Sequence, residues 1–429
     1  MSSTKPNRPV FALADANSFY ASCEKVFRPD LRNSPVVVLS NNDGCVIAQS
    51  REAKALDIRM AGPWFEVEER AREIGAVAFS SNYELYANMS NRFMATLRQF
   101  SPRLEVYSID ECFLDLTGIK RDLVAYGHEI KETVTSWTGL PICVGIGHSK
   151  TLAKLANHYA KKQPELNGVC DFTRMRDDEL DAVLEKLPVS SVWGIGRRLE
   201  NTLNALGVEN VLRLKRANLR RIRDKFGITM QRTVQELNGK PWLKLDDVVP
   251  VAKQVMSSRS FGQRVESLQE LREAISYHAA NAAQRLRKQG LFAHAVSVFI
   301  QNSPFDQAEF YGRTETVALP APTECSLQIT NAALWLLKKM YQPEVYYQKA
   351  GVMLSELVPQ EGQQIDLFTY SFCSNKSGRL MDAMDKINVK YRRSTIHLAS
   401  EGVDSTWSMR RSFKSPNYTG EWSDLPVVS

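Results

Sequence analysis

The sequence has no paired cysteines. Seven cysteines (23, 45, 112, 143, 170, 325 and 373) are an odd number, and no two of them form C-x-x-C. A disulfide framework or a structural zinc is therefore not expected, and reduced cytosolic thiols are. No stretch approaches the ~18 uninterrupted apolar residues of a membrane span. The start, M-S-S-T-K-P-N-R-P-V, carries no apolar h-region, so no secretory signal is read there. Internal repeats and low-complexity tracts are also missing. What remains is 429 residues, 24% charged and 43% hydrophobic. That composition excludes disorder and a collagen-like fibre, and the length predicts about two to four domains.

Charge is unevenly spread. The net charge is 55 − 48 = +7. Residues 1–170 hold 20 basic and 19 acidic groups, an excess of 1; residues 171–253 hold 16 and 12, an excess of 4. An excess gathered in one block points to a surface for a polyanion.

The first 170 residues read as alternating strands and helices. Strands are predicted at 10–14, 35–40, 104–109, 112–116 and 142–146. Helices are predicted at 18–26, 53–56, 66–74, 82–100, 122–136 and 149–162. The clearest helix places Leu85, Met89, Phe93 and Leu97 at i, i+4 spacing. From Asp171 the pattern turns helical and basic, with V-W-G-I-G-R-R (192–198) as a glycine turn between helices. Residues 245–254 read as a linker. A β-α-β…α-β order follows: strands at 255–260, 294–301, 310–318 and 349–354, with helices at 268–288 and 326–341. That order predicts a small α+β domain with one sheet face free. Residues 359–363 read as a second linker, and the last ~60 residues give no periodic signal.

Chemistry first surfaces in the acids. Asp15 follows an apolar strand, and S-I-D-E (108–111) sits at the turn between two others. A turn relaxes the strict alternation of strand side chains, so Asp110 and Glu111 could share a face with Asp15. Three such acids repel one another unless a hard cation, with magnesium as the natural choice, stands between them. Two ions ~3.5–4 Å apart would serve phosphoryl transfer. The competing reading, an Asp15 helix cap and a solvated Asp-Glu turn, describes the commoner fate of acids at turns.

Cations near these strands complete the set. Arg51 and Lys54 follow G-C-V-I-A, and Lys154, Lys161 and Lys162 lie on the helix after G-I-G-H-S-K-T. They suit a triphosphate, although lysines ending a helix also answer its dipole. G-I-G-H-S-K-T is not a P-loop, because Ser149 stands where the last glycine must be. Phe19 and Tyr20 could form an aromatic floor under a sugar and exclude a 2′-hydroxyl by overlap. The plain alternative is core packing.

Taken together, D-A-N-S-F-Y-A-S-C-E (15–24), S-N-N-D-G-C-V-I-A (40–48), S-S-N-Y-E-L-Y (80–86), S-I-D-E-C-F-L-D-L (108–116) and G-I-G-H-S-K-T-L-A-K-L-A-N (145–157) closely resemble the Y-family DNA polymerases. The resemblance covers nearly the whole chain. It implies an α+β right-hand architecture: a palm (1–19 and 81–170), small fingers (20–80), a helical thumb (171–245), a linker (246–253), a little finger (254–358) and a C-terminal tail (359–429). It implies two Mg2+ ions on Asp15, Asp110, Glu111 and the carbonyl of Ala16. It further implies a steric gate at Tyr20 and triphosphate contacts at Arg51, Lys54 and Lys161. Relatives often carry tyrosine at position 51 and arginine at 54, so Lys54 lacks their planar fork.

Gly194, Gly196, Arg197 and Arg198 resemble a helix-hairpin-helix, whose backbone N–H groups and arginines hold DNA phosphates without reading sequence. In the little finger, Arg259, Arg264, Arg285 and Arg287 are candidate phosphate contacts. Gln364, Ile365, Leu367 and Phe368 in Q-I-D-L-F resemble the peptide that docks on the β sliding clamp. The implied activity is error-prone translesion synthesis in the bacterial SOS response to DNA damage. The implied partners are primed and damaged DNA, deoxynucleoside triphosphates, the clamp, a cleaved UmuD dimer and a RecA filament; the implied location is cytoplasmic and nucleoid-associated. Two rivals stay open at this point: a non-catalytic DNA-binding scaffold, and a palm-domain nucleotidyl cyclase.

Overall fold

The computed structural model describes residues 8–245, 252–360, 375–391, 394–403 and 407–425. The chain forms two compact units. The first comprises 1–39, 45–249 and 413–429; the second comprises 40–44 and 250–412. The contiguous blocks of the sequence are thus interleaved. Residues 40–44 belong with the second unit because Asn42 donates to the carbonyls of Ser260 and Phe261 and accepts from the Arg410 N–H.

In the first unit the order is β1 (Phe11–Ala16), α1 (Phe19–Val26), β2 (Val36–Leu39), β3 (Val46–Gln49), α2 (Arg51–Ala55), α3 (Trp64–Glu73), β4 (Val77–Ser80), α4 (Tyr83–Leu97), β5 (Leu104–Val106), β6 (Glu111–Asp115), α5 (Leu123–Thr138), β7 (Ile142–Gly147), α6 (Lys150–Lys162) and β8 (Val169–Asp171). Four helices follow: α7 (Asp177–Lys186), α8 (Arg197–Asn204), α9 (Val211–Lys215) and α10 (Leu219–Leu237). Five strands make one sheet, ordered β5-β6-β1-β7-β8, and three make another, ordered β3-β2-β4.

β1 is apolar because it lies at the centre of the larger sheet, antiparallel to both β6 and β7. β2 is a continuous run of valine and leucine, buried on both faces. One face joins the core of the five-stranded sheet and the other packs on α3. The sequence reading misses β3, β4 and β8, short strands without the continuous β-branched run that marks β2. The expected stripe on α4 is present: Leu85, Met89, Phe93 and Leu97 are all buried in that core.

The glycines of G-I-G serve packing, not phosphate. α6 crosses β7 so closely that a Cβ on Gly145 would stand 2.0 Å from the Asn157 amide nitrogen. Ser149, at the place that broke the P-loop pattern, is the N-cap of α6 and accepts from the Leu152 N–H. Buried Asn157 ties this helix to the sheet by donating to the carbonyls of Leu13 and Cys143.

The second unit contains β9 (Val255–Val265), α11 (Leu268–Lys288), β10 (Leu291–Gln301), β11 (Gly312–Thr323), α12 (Ser326–Met340), β12 (Tyr347–Pro359) and α13 (Asn375–Tyr391). Its sheet is antiparallel, ordered β11-β10-β12-β9. α11 and α12 supply the apolar core that backs it. The order matches the β-α-β…α-β reading, while α13 lies where no periodic signal is read. Six cysteines among the described residues are free thiols. Among those residues, no helix is long and apolar enough to cross a membrane.

Candidate active site

The strand register brings the first two acids together. Asp15, near the end of β1, stands directly opposite Glu111, the first residue of β6. The turn before β6 is folded back by its own backbone: the N–H groups of Tyr107 and Ser108 donate to the Glu111 carbonyl. The Asp110 carbonyl accepts from the Ala16 N–H at 2.9 Å, which draws that turn against the end of β1. The Asp110 carboxylate is oriented by the Ser108 hydroxyl at 2.6 Å.

Two lysines neutralise the pair. Lys161 reaches Asp15 at 2.6 Å, and Lys154 holds both oxygens of Glu111 at 2.7 and 2.8 Å. They are seven residues apart on α6, two turns, and so share a face. Lys154 also lies over the rings of Tyr107 and Trp193, 4.9 and 5.4 Å from their centroids. Burial pushes the Asp15 carboxyl up to about 6, against the pull of Lys161 and with a further push from Glu111. Among the described residues, no three acidic, histidine or cysteine side chains already close into a metal cage. The donor set nevertheless fits a hard cation: carboxylates crowded on adjacent strands, one of them resisting ionisation because burial and a like charge oppose it.

Asp15 does not cap the helix. Ser18 occupies the N-cap of α1 in the left-handed region (φ 49°, ψ 46°) with no side-chain cap bond. Its hydroxyl instead accepts from Lys54 at 3.0 Å, which places that lysine at the head of α1. Arg51 is 94% exposed in its side chain and lies 3.6 Å from Glu52.

The two aromatics separate. Phe19 is 3% exposed and takes the core-packing alternative, so it does not offer the expected floor. Tyr20 is partly exposed, stacks on Tyr86 (centroids 4.5 Å, planes 17° apart) and meets Tyr83 edge-on at 6.2 Å. Burial raises its phenol pKa, and the neighbouring Tyr83 and Asp110 add to the rise. Tyr86 and buried Glu24, which accepts from the Tyr86 hydroxyl at 2.6 Å, close the motifs 80–86 and 15–24, but the sequence reading assigned neither a role. Their signals were the i, i+3 spacing of Tyr83 and Tyr86 and an acid in an apolar helix.

Farther along the first unit, Gly194 takes φ +89°, open to glycine at no cost. Gly196 is the N-cap of α8, and Arg197 and Arg198 head that helix with exposed side chains. In the second unit the arginines differ. Arg264 pairs with Asp306 at 2.7 Å, Arg259 lies 3.5 Å from Asn41, and Arg285 donates to the Met256 carbonyl. Arg287 is a correction: its side chain is 8% exposed, pairs with Asp385 at 2.7 Å and bonds Glu324 and Ser326, so it braces the fold. Gln364, Ile365, Leu367 and Phe368 lie outside the described residues.

Solved structures share this fold. A Y-family DNA polymerase chimera of Dbh and Dpo4 superposes with a TM-score of 0.64 at 19% identity, covering 82% of this chain and 99% of that one. An insertion ternary complex of Dbh DNA polymerase gives 0.53 at 20% identity over the same shares. The fold is that of a right-hand Y-family polymerase. Residues 14–158 match the impB/mucB/samB family, 252–367 its C-terminal domain, and 177–208 the HHH motif of the IMS family. Residues 378–428 match a domain of unknown function, DUF4113. Protein UmuC of Salmonella typhimurium is 47% identical over 97% of this chain and 99% of its own length. DNA polymerase IV of Moorella thermoacetica is 29% identical over 90% and 94%. The chain belongs to the impB/mucB/samB family and is a Y-family DNA polymerase of the UmuC type.

Proposed function

We propose that this chain carries out error-prone translesion synthesis: template-directed attack of a primer 3′-hydroxyl on the α-phosphate of a deoxynucleoside triphosphate, with release of pyrophosphate. One observation carries the reading. Asp15 and Glu111 face each other across two central strands, with Asp110 drawn against Ala16 at the same edge.

Asp15, Asp110, Glu111 and the Ala16 carbonyl would hold two magnesium ions. When bound, those ions supply a lowered pKa for the primer hydroxyl and neutralise charge on the leaving phosphates. The rest falls to the chain itself. Lys161 and Lys154, now spent on the two acids, would be released to anionic phosphate oxygens once the acids are otherwise neutralised. Lys54 would orient the triphosphate from the head of α1, and Arg51, extended into solvent, would reach it from α2. Tyr20, seated on Tyr86, would stand under the sugar and exclude a ribose 2′-hydroxyl by overlap.

Palm, fingers, thumb, little finger and tail would take the boundaries read from the sequence, with residues 40–44 of the fingers folding in the second unit and 413–429 of the tail in the first. α8, headed by Arg197 and Arg198, would hold DNA phosphates without regard to sequence. A few short elements between residues 20 and 80 leave little surface to inspect the new base pair, which suits damaged templates. The same reading places the chain in the SOS response, in the cytoplasm at the nucleoid. There it would be tethered to the β clamp through 364–368 and would work with a cleaved UmuD dimer and a RecA filament.

Primer extension past an abasic site tests the proposal, comparing the parent with Asp110→Asn. Removing one such electrostatic group should lower synthesis about a hundred- to a thousandfold. Unchanged synthesis would refute the role given to this acid.

A further inference from the structure

The last described segment of the chain reaches the two helices that carry the stacked rings of the candidate sugar site. Residues 413–429 fold with the first unit. The Ser80 N–H donates to the Phe413 carbonyl at 3.0 Å, and the Phe413 N–H donates to the Ser80 hydroxyl at 2.9 Å. This bridge extends the end of β4. Fully buried Asn82, the N-cap of α4, then donates to the hydroxyl and carbonyl of Ser415 at 3.0 and 3.2 Å. Three residues farther, Tyr418 stacks on Phe27, the C-cap residue of α1, with centroids 4.8 Å apart and planes 9° apart.

α1 and α4 are the helices that carry the stacked pair Tyr20 and Tyr86. Tyr86 lies one turn beyond Asn82, and Glu24 lies one turn beyond Tyr20. Tyr86 is fully buried and donates to Glu24, itself fully buried. A single segment therefore grips the start of α4 and the end of α1, while the Tyr86–Glu24 bond joins the two helices between those grips. We propose that residues 413–418 are a positioning clasp that sets where the Tyr20 ring stands, and that they thereby help select deoxyribose over ribose. This assigns a role to the final part of a match otherwise described only as a domain of unknown function. Tyr418, Ser415 and Phe27 are positioning residues, since none contacts the Tyr20 ring directly.

The inference rests on Tyr20 as the sugar gate, so the test carries that control. With the full chain on primed DNA, kcat/KM is measured for one deoxynucleotide and for its matching ribonucleotide. Their ratio does not depend on the fraction of folded enzyme. Tyr20→Ala should lower the ratio. Tyr418→Ala should lower it roughly tenfold, within the ~10²-fold that misplacing a group by about an ångström can cost. Tyr418→Phe keeps the ring and should keep the parent ratio. If Tyr20→Ala leaves the ratio unchanged, the gate reading fails and the clasp falls with it. If Tyr20→Ala lowers it while Tyr418→Ala does not, the clasp alone is overturned. Should Tyr418→Ala give no measurable synthesis, Phe27→Leu removes the same stack and its ratio decides.

Discussion

At the scale of single residues, buried carboxyls set the chemistry. Asp15 and Glu24 are both pushed up by burial, yet their circumstances differ. Asp15 has Lys161 and lies beside a second acid. Glu24 has only the Tyr86 and Ser415 hydroxyls to hold it back, and burial raises it to about 7 from an ordinary 4.5. One of its oxygens is buried with no hydrogen-bond partner. The folded chain thus holds this proton more tightly than the unfolded chain. The stability it lends is whole below the unfolded pKa near 4.5 and is lost as pH rises through about 7. Glu24→Gln should therefore stabilise the first unit at pH 8 by up to about 3 kcal/mol and do almost nothing at pH 4. Urea unfolding at both pH values checks this; an equal effect at the two would show that Glu24 ionises without penalty.

At the scale of elements, close packing explains motifs that look chemical. Gly145 and Gly147 allow α6 to lie against β7, which is what places Lys154 and Lys161 over the acids. Gly145→Ala would put a carbon 2.0 Å from the Asn157 nitrogen and 2.3 Å from the Ala153 carbonyl. Backbone atoms cannot step aside as a flexible side chain can, so a loss of about 3 kcal/mol or more is expected. Phe93→Ala, which empties a fully buried site on α4, should cost about 3–5 kcal/mol. Thermal or denaturant unfolding reads both, and a Gly145→Ala chain as stable as the parent would contradict the packing argument.

At the scale of the whole molecule, function depends on holding a long polyanion. The +4 excess of residues 171–253 includes Arg197 and Arg198, which head α8 in the open. Each DNA phosphate that the protein no longer neutralises should reduce the slope of log affinity against log salt by roughly 0.9. Arg197→Ala with Arg198→Ala is thus expected to flatten the salt dependence of primed-DNA binding by about 2 and to weaken all sequences alike. A titration at several salt concentrations measures this. An unchanged slope would move the DNA-binding surface elsewhere.

Periodicity was enough to mark α4 and α11, because each repeats its burial pattern over many residues. Motif order was enough to announce the family and the three acids, since those signals survive in any linear reading. Other features became visible only when distant segments met. Asp15 finds Lys161 across 146 residues, and Asn82 finds Ser415 across 333. Arg287 turned from a DNA candidate into a brace for Asp385, and Phe19 turned inward while its neighbour Tyr20 did not. Which partner answers a buried charge, and which of two adjacent rings keeps a free edge, depends on desolvation and packing. Those are properties of a three-dimensional neighbourhood, and no local pattern of residues encodes them.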